Sequence, residues 1–168
     1  TFLKMDLGIG LLLDEPGTIN APLGLIEDMK TYAPHILNVQ GGSVTQDMVK
    51  HQKSYQIVNT AHPFTGIHLT EKGLDYLENY VREVRDVIGY DVPLAIDHFG
   101  HVCVEDCIRF ARRMERYNLA WMEDMVPWMY TDQYVRLKNS TCIPVCTGED
   151  IYLKEPFENL IKAGGVSV

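Results

Sequence analysis

Short apolar runs and amphipathic stretches alternate along the second half of the chain, and this alternation predicts strands separated by helices. Uninterrupted apolar runs at residues 92–96, 119–122 and 143–146 are typical of strands covered on both faces. Beside them, apolar residues recur at intervals of three or four, as on the buried face of a helix. The first such stripe consists of Leu74, Leu77, Val81, Val84 and Ile88. Thr70 is a good N-cap for this helix, and Gly89 is expected to end it.

Further segments complete the predicted alternation. Residues 1–6 predict a first strand, and residues 166–168 predict the beginning of another. A short helix is expected at 132–138, and a helix with Pro156 in its first turn is expected to end at Gly164 and Gly165. The helix after the strand at 92–96 carries one apolar face, made of Cys103, Cys107, Phe110, Ala111 and Met114. Its arginines, which lie largely elsewhere, indicate a solvated face: Arg109, Arg112, Arg113 and Arg116.

Residues 7–69 read as a long irregular region with many turn-forming residues. Short helices are expected inside it near 22–31 and 43–55. A connection of this length inside a compact domain is typical of a lid, a binding loop or an interface element. His35, His51 and His62 lack metal-ligand spacing among themselves, so surface or loop packing is the preferred interpretation.

Strict alternation of strands and helices predicts an α/β fold with parallel strands, because a helical crossover returns the chain to the same end of the sheet. A (β/α)₈ TIM-type barrel fits, with this chain holding roughly the second to sixth strands. An open doubly wound sheet is the competing architecture, but no Gly-rich phosphate loop follows any strand. The chain begins without Met and stops within an apolar segment, so we expect a piece of a longer protein. Residues 1–168 would form a partial barrel domain, with 7–69 as an irregular insertion after the first strand.

Composition narrows the classes of function. The chain is 46% hydrophobic and 23% charged, with a net charge of −8 and no basic run, so we expect no nucleic-acid partner. No apolar stretch has the length of a membrane span, so we expect no membrane partner. The cysteines form two C-x3-C pairs, at 103 and 107 and at 142 and 146. Buried reduced thiols of a cytoplasmic protein are a better interpretation than zinc ligands at this unusual spacing.

Three carboxylates carry the chemistry predicted for this chain. Asp97, Glu123 and Glu149 each stand where an apolar run stops, and each lies 26 residues after the previous one. Acids at the same end of three adjacent parallel strands would point into one small volume. Because three close negative charges repel unless a cation holds them together, the pattern predicts a hard divalent metal ion, Mg²⁺ above others.

The motifs around these acids, LAIDHFGH, WMEDMVP and PVCTGED, resemble the enolase superfamily in its mandelate racemase-like group. The sequence is most similar to the sugar-acid (galactonate/mannonate-type) dehydratase branch. The resemblance implies that Asp97, Glu123 and Glu149 bind Mg²⁺. It implies removal of the proton alpha to a carboxylate through a metal-stabilised enediolate and loss of the beta hydroxyl to give a 2-keto-3-deoxy acid. It also implies a sugar-acid substrate, a homo-oligomer, and an N-terminal capping domain and last barrel units that lie outside this chain.

Departures from the family pattern affect the acid and base. Lys4-Met5-Asp6 stands where proton-abstracting relatives have Lys-x-Lys, so that base is missing. Lys4 either touches substrate or forms a structural ion pair with a barrel acid, and Asp6 is a candidate substrate contact beside it. Phe99 occupies the family's acid-histidine position, so His98 or His101 could supply the general acid, or either could be a loop histidine.

Two further points stay open at this level. Trp128, just after Pro127, could line the pocket or pack in the core or at an interface. A racemase or epimerase of the same superfamily, and a catalytically inactive regulatory member, are the alternative functions. The residues at the ends of the later strands, which lie outside this chain, would distinguish them.

Overall fold

The computed structural model describes residues 1–8, 10–13, 15–22, 66–97 and 102–168. Along the chain its elements are β1 (Leu3–Asp6), α1 (Gly10–Leu13), β2 (Ile19–Asn20), β3 (His68–Leu69), α2 (Glu71–Ile88), β4 (Leu94–Asp97), α3 (Val104–Met114), β5 (Met122–Glu123), α4 (Thr131–Lys138), β6 (Val145–Cys146) and α5 (Lys154–Ala163), with a 3₁₀ turn at Glu115–Tyr117 after α3. Among the described residues, no helix combines the length and apolar character needed to cross a bilayer.

The main sheet has four parallel strands in the order β1, β4, β5, β6. Its last three strands lie at the ends of the predicted apolar runs, and all three begin later than predicted, at Leu94, Met122 and Val145. The residue before β4 and the residue before β6 are prolines, which have no N–H to donate to the sheet. The fold class is therefore α/β with a parallel sheet, and closure into a barrel stays a prediction.

Residues 166–168 already lie beside β6, although they form no assigned strand. The backbone N–H groups of Ser167 and Val168 both donate to the carbonyl of Val145, at 2.7 and 3.3 Å. The segment therefore lies beside the sheet, as a strand there would, but the predicted strand itself is not formed.

Helix α2 has the limits that the apolar stripe predicts. The Thr70 hydroxyl accepts a hydrogen bond from the Gly73 N–H at 3.0 Å, and Gly89 ends the helix with a φ of 69°. Gly73 is required by packing, because a Cβ there would lie 2.0 Å from the carbonyl oxygen of Thr18. Thr18 adjoins β2, which pairs antiparallel with β3 in a two-stranded ribbon. This ribbon, in the described ends of the 7–69 region, was not predicted from the sequence.

The predicted solvated face of arginines is largely confirmed, since Arg109, Arg112 and Arg116 are exposed and Arg113 is half-buried. Several of these arginines also form ion pairs with α2. Arg109 pairs with Glu71, and Arg113 pairs with both Glu71 and Asp75 of α2. These ion pairs join the two helices at their partly exposed boundary. The apolar face of α3 is buried as predicted, except that Cys103 precedes the helix as its N-cap residue.

The four cysteines are free, and the two pairs differ in burial. Cys103 and Cys107 are buried, as expected of reduced thiols in a core. Cys142 is exposed and Cys146 is half-buried, so the prediction of burial is wrong for the second pair, although both of its thiols are free.

Arg85 lies inside the core on the buried side of α2, with 3% of its surface exposed. Its guanidinium donates to the carbonyls of Tyr117, Gly89, Val92 and Asn118 at 2.8–3.0 Å. A buried charge is tolerated when its hydrogen bonds are satisfied. Arg85 therefore ties together the turns that lead into β4 and β5.

Several predicted features fall outside the described residues. They are the helices near 22–31 and 43–55, the histidines His35, His51 and His62, and the loop residues His98, Phe99 and His101.

Candidate metal centre

The parallel sheet brings the three predicted carboxylates together at one end. Asp97 and Glu123 are the last residues of β4 and β5, and Glu149 follows β6. One carboxylate oxygen from each lies within 4.8 Å of the other two. Asp97 is buried, the Glu123 side chain is 12% exposed, and Glu149 is exposed. The cluster is therefore closed on the side of β4 and open at Glu149.

Gly148 lets the chain turn so that Glu149 reaches the other two acids. Its φ is 149°, a conformation that residues with a side chain rarely adopt. A Cβ at this position would also lie 2.8 Å from the ring of Phe157 on α5. Both the backbone angle and the close approach of the ring require glycine before Glu149.

Lys4 contacts two of the three acids. Its ammonium nitrogen lies 2.5 Å from Asp97 Oδ2 and 3.2 Å from Glu123 Oε2. The hydrogen bond to Asp97 raises the pKa of Lys4 well above its ordinary value, and the bond to Glu123 adds to the rise. Of the two interpretations of Lys4, the ion pair is therefore observed in the structure, with Asp97 and Glu123 at the ends of the parallel strands, and a role toward substrate stays open.

Asp6 lies next to this cluster in the sheet. It is the register partner of Asp97, and it stands two residues after Lys4 on the same face of β1. Asp6 is exposed, so its carboxylate is available to a ligand at this end of the sheet.

Two side chains that the sequence analysis did not single out form hydrogen bonds to Glu123 and to its neighbour Asp124. The indole N–H of Trp121 donates to Glu123 Oε2 at 2.9 Å, and the Thr147 hydroxyl donates to Asp124 Oδ1 at 2.6 Å. Trp121 could have been found from strand periodicity, because residues two apart share a sheet face. Nothing in the sequence indicates the contact between Thr147 and Asp124, which depends on a left-handed φ of 49° at Asp124.

Electrostatic repulsion at this end of the sheet is visible in neighbouring groups. Partial burial raises the pKa of Asp124, the Thr147 hydrogen bond opposes that shift, and the charges of Asp97, Glu149 and Glu123 add to it. Burial also raises the pKa of the Cys146 thiol to about 11, and Glu123 contributes to this rise. Three carboxylates thus create a negative field that one ammonium group only partly offsets.

The donor set fits a hard divalent cation. Mg²⁺ and Ca²⁺ take oxygen ligands, and Mg²⁺ is commonly bound through a few carboxylates while it keeps several waters. The cluster offers three carboxylates, one of them exposed, so space for water or substrate remains on the Glu149 side. On donor chemistry the residues therefore fit Mg²⁺.

The remaining predicted site residues are not placed at the cluster by the structure. Trp128 is half-buried and packs against the hydrophobic core, which supports the core interpretation over a pocket wall. His98 and His101 lie outside the described residues, directly after the strand that ends in Asp97.

Comparison with known proteins identifies the family. Residues 52–168 match the family described as enolase C-terminal domain-like. The chain belongs to this family. The match includes all three clustered acids and agrees with the resemblance seen in the motifs around them.

A curated protein to which the chain is similar is named as a dehydratase. The D-galactonate dehydratase of Ralstonia pickettii (strain 12J) is 27% identical over 152 residues, which is 86% of this chain and 38% of that protein. The present chain therefore spans well under half the length of this curated relative.

Two solved structures share the fold at similar identity. A mandelate racemase/muconate lactonizing enzyme-like protein from Rubrobacter xylanophilus DSM 9941 matches with a TM-score of 0.56 and 32% identity, over 58% of this chain and 25% of that one. The 3,6-anhydro-D-galactonate cycloisomerase from Zobellia galactanivorans matches with a TM-score of 0.53 and 33% identity, over 55% of this chain and 26% of that one.

Proposed function

We propose that the complete protein is a Mg²⁺-dependent sugar-acid dehydratase, a hydro-lyase. The observation that carries the proposal is the convergence of Asp97, Glu123 and Glu149 at the ends of adjacent parallel strands. The similarity to a protein named D-galactonate dehydratase supports the substrate class. In this proposal the three acids hold the ion. When bound, the ion supplies positive charge beside the substrate carboxylate and stabilises the negative charge that develops as the alpha proton leaves.

The chain's own residues orient the reactants in this proposal. Trp121 fixes one oxygen of Glu123, so that the second acid is held in a single orientation. Lys4 contacts two of the acids, and its ammonium group can donate to a substrate carboxylate bound beside them. Asp6, on the same face of β1, is placed to accept hydrogen bonds from substrate hydroxyls.

Protonation of the leaving group is assigned to one histidine in the loop after β4. We propose that His98 or His101 acts as the general acid that protonates the departing beta hydroxyl, which leaves as water. Such assistance is worth roughly 10²–10⁴-fold in rate. Since Asp6 replaces the second lysine of a Lys-x-Lys pair, the base that removes the alpha proton is assigned to the protein outside this chain.

A racemase or epimerase is the second candidate, because the Rubrobacter structure is named for the mandelate racemase/muconate lactonizing group. Such an enzyme needs a base on each face of the substrate. The replacement of one lysine by Asp6 argues against the base that β1 would provide. A catalytically inactive regulatory protein is the third candidate, supported by Phe99 at the acid-histidine position.

A screen of sugar acids with the complete protein and Mg²⁺ distinguishes these functions. A dehydratase forms a 2-keto acid with loss of water, whereas a racemase or epimerase forms a stereoisomer without it. An inactive member forms neither. Glu149→Gln should abolish keto-acid formation, and Glu158→Gln on the surface of α5 is the matched control that should keep it. Production of a stereoisomer alone would overturn the dehydratase assignment.

The histidine assignment has its own test. His98→Asn and His101→Asn, made separately, should differ in keto-acid production, because only one of them is the acid. Full activity in both variants would remove this loop from the mechanism. A homo-oligomer, a cytoplasmic location and the absence of nucleic-acid and membrane partners stay predictions.

A further inference from the structure

A second group of ligand-type side chains lies away from the three acids. Cys103 precedes α3 as its N-cap, Asp106 is in the first turn of α3, and His68 begins β3. One atom from each, Sγ, Oδ2 and Nδ1, belongs to a group whose members all lie within 4.8 Å of one another. Their separations are 3.3 Å from Sγ to Nδ1, 3.3 Å from Sγ to Oδ2 and 3.2 Å from Nδ1 to Oδ2. The three atoms thus form a nearly equilateral triangle.

This geometry differs from that of a catalytic relay. In a Cys–His–Asp relay the two nitrogens of the histidine ring face different partners, one the thiol and the other the carboxylate. Here the same nitrogen, Nδ1 of His68, faces both Cys103 and Asp106. The arrangement therefore converges on one point instead of passing a proton along a line.

The triangle has the dimensions of one face of a tetrahedral metal site. Ligands bound to Zn²⁺ at about 2.0–2.3 Å lie roughly 3.3–3.6 Å from one another in a tetrahedron. The observed separations of 3.2–3.3 Å come within a few tenths of an ångström of these values. Hydrogen bonds span similar distances, so the cluster is also satisfied when protons take the place of a metal ion.

The surroundings hold these ligands in place. The Leu69 N–H donates to Asp106 Oδ2 at 2.9 Å, and Arg109 donates to Oδ1 at 2.6 Å, so the carboxylate is fixed on both oxygens. Cys103 and Asp106 are buried, while the His68 side chain is 56% exposed. A metal ion could therefore enter from the His68 side and keep one position for water. Hydrogen bonds that orient ligands are a regular part of metal sites.

We propose that His68, Cys103 and Asp106 form a second metal site, which takes a borderline divalent transition ion, Zn²⁺ in preference to Mg²⁺. Thiolate and imidazole ligands select Zn²⁺ and similar ions, whereas the all-carboxylate cluster suits Mg²⁺. The bound ion would join β3 to the start of α3, across 35 residues of sequence. This site is independent of the proposed dehydratase reaction, so it can stand or fall separately.

Co²⁺ is the probe, added to the complete protein after the carboxylate centre has been saturated with Mg²⁺. A Co²⁺ ion bound to a thiolate gives a charge-transfer absorption that an all-oxygen site cannot give. We expect this absorption to saturate at one equivalent and to be displaced by Zn²⁺. It should disappear in Cys103→Ser, and in His68→Asn the affinity should fall at least about tenfold. Absence of the absorption in the wild-type protein would overturn the proposal.

Control variants assign the signal to one thiol. Cys142→Ser changes an exposed cysteine outside the cluster and should leave the absorption unchanged. Cys146→Ser removes the thiol nearest the carboxylate centre and should also leave the absorption unchanged. If the absorption disappeared in Cys146→Ser and persisted in Cys103→Ser, the proposal would be overturned. Serine is a preferred N-cap residue, so Cys103→Ser should remain folded by circular dichroism. Should it unfold, His68→Asn alone decides, since its exposed side chain can change without disturbing the core.

Discussion

Lys4 and a bound metal ion should compete for the same carboxylates. Removing the charge of Lys4 should therefore raise the affinity for the metal ion. The ammonium group lies 2.5 Å from an oxygen of Asp97 and 3.2 Å from an oxygen of Glu123, two of the three acids that would hold the ion. Lys4→Met removes a positive charge from the site and keeps a side chain of similar length. We expect this variant to bind Mg²⁺ more tightly than the wild-type protein does and to be less active.

The size of the effect follows from electrostatics. Two unit charges about 4 Å apart interact by about 4 kcal/mol at an effective dielectric constant of about 20. The Lys4 side chain is 34% exposed, so solvent screening reduces the gain from removing its charge to about 1–2 kcal/mol. Since about 1.4 kcal/mol is a factor of ten in affinity, the Kd for Mg²⁺ should fall roughly 5- to 30-fold.

Calorimetric titration of Mg²⁺ into the complete protein measures this change, with Lys72→Met as the matched control. Lys72 is a lysine that pairs with Glu15 on the surface, and its removal should leave Mg²⁺ affinity unchanged. Without Mg²⁺, Lys4→Met should also melt at a lower temperature than wild type, because Asp97 and Glu123 then lose the ammonium group that contacts both of them. Weaker Mg²⁺ binding by Lys4→Met would refute the competition argument.

Three further changes test other parts of the structure. Arg85→Met should lower the free energy of unfolding by about 3–5 kcal/mol in urea denaturation, because four carbonyls lose their donor, whereas exposed Arg116→Met should cost under about 1 kcal/mol. Gly148→Ala should weaken Mg²⁺ binding at least about tenfold by calorimetry, and adding Phe157→Leu should not restore it, since the backbone angle stays strained. Hydrogen bonds from the Cys142 N–H and the Thr141 hydroxyl lower the pKa of Glu115. Wild type should therefore melt at a higher temperature than Glu115→Gln above pH 4.5, and this difference should vanish as the pH falls below the lowered pKa.

The parallel sheet and the position of its acids could be predicted because both leave a local signal. An apolar run that stops at a carboxylate marks the end of a buried strand, as at Asp97 and Glu123. The amphipathic stripe and its flanking Thr70 and Gly89 defined α2 in the same way. Each of these features depends on residues that are neighbours in sequence.

The features that could not be predicted depend on contacts between distant residues. Strands β2 and β3 have two residues each, too few to show any alternation. Arg85 lies beside the apolar stripe of α2 without breaking it, so the sequence gives no sign that it is buried. Only the structure shows the carbonyls that make its burial possible. The contact between His68 and Cys103 forms because the ribbon of β2 and β3 lies against the start of α3. The spacing of residues along the sequence does not predict that contact.

The central claim is that the carboxylates of Asp97, Glu123 and Glu149 hold one divalent ion. The most direct measurement is calorimetric titration of Mg²⁺ into the complete protein, into Glu123→Gln, and into Glu158→Gln as the matched control on α5. Glutamine keeps the size of the side chain and removes the charge that binds the ion. We predict one Mg²⁺ site in the wild-type protein and in Glu158→Gln, and no measurable binding in Glu123→Gln. Equal Mg²⁺ affinity in all three proteins would contradict the claim.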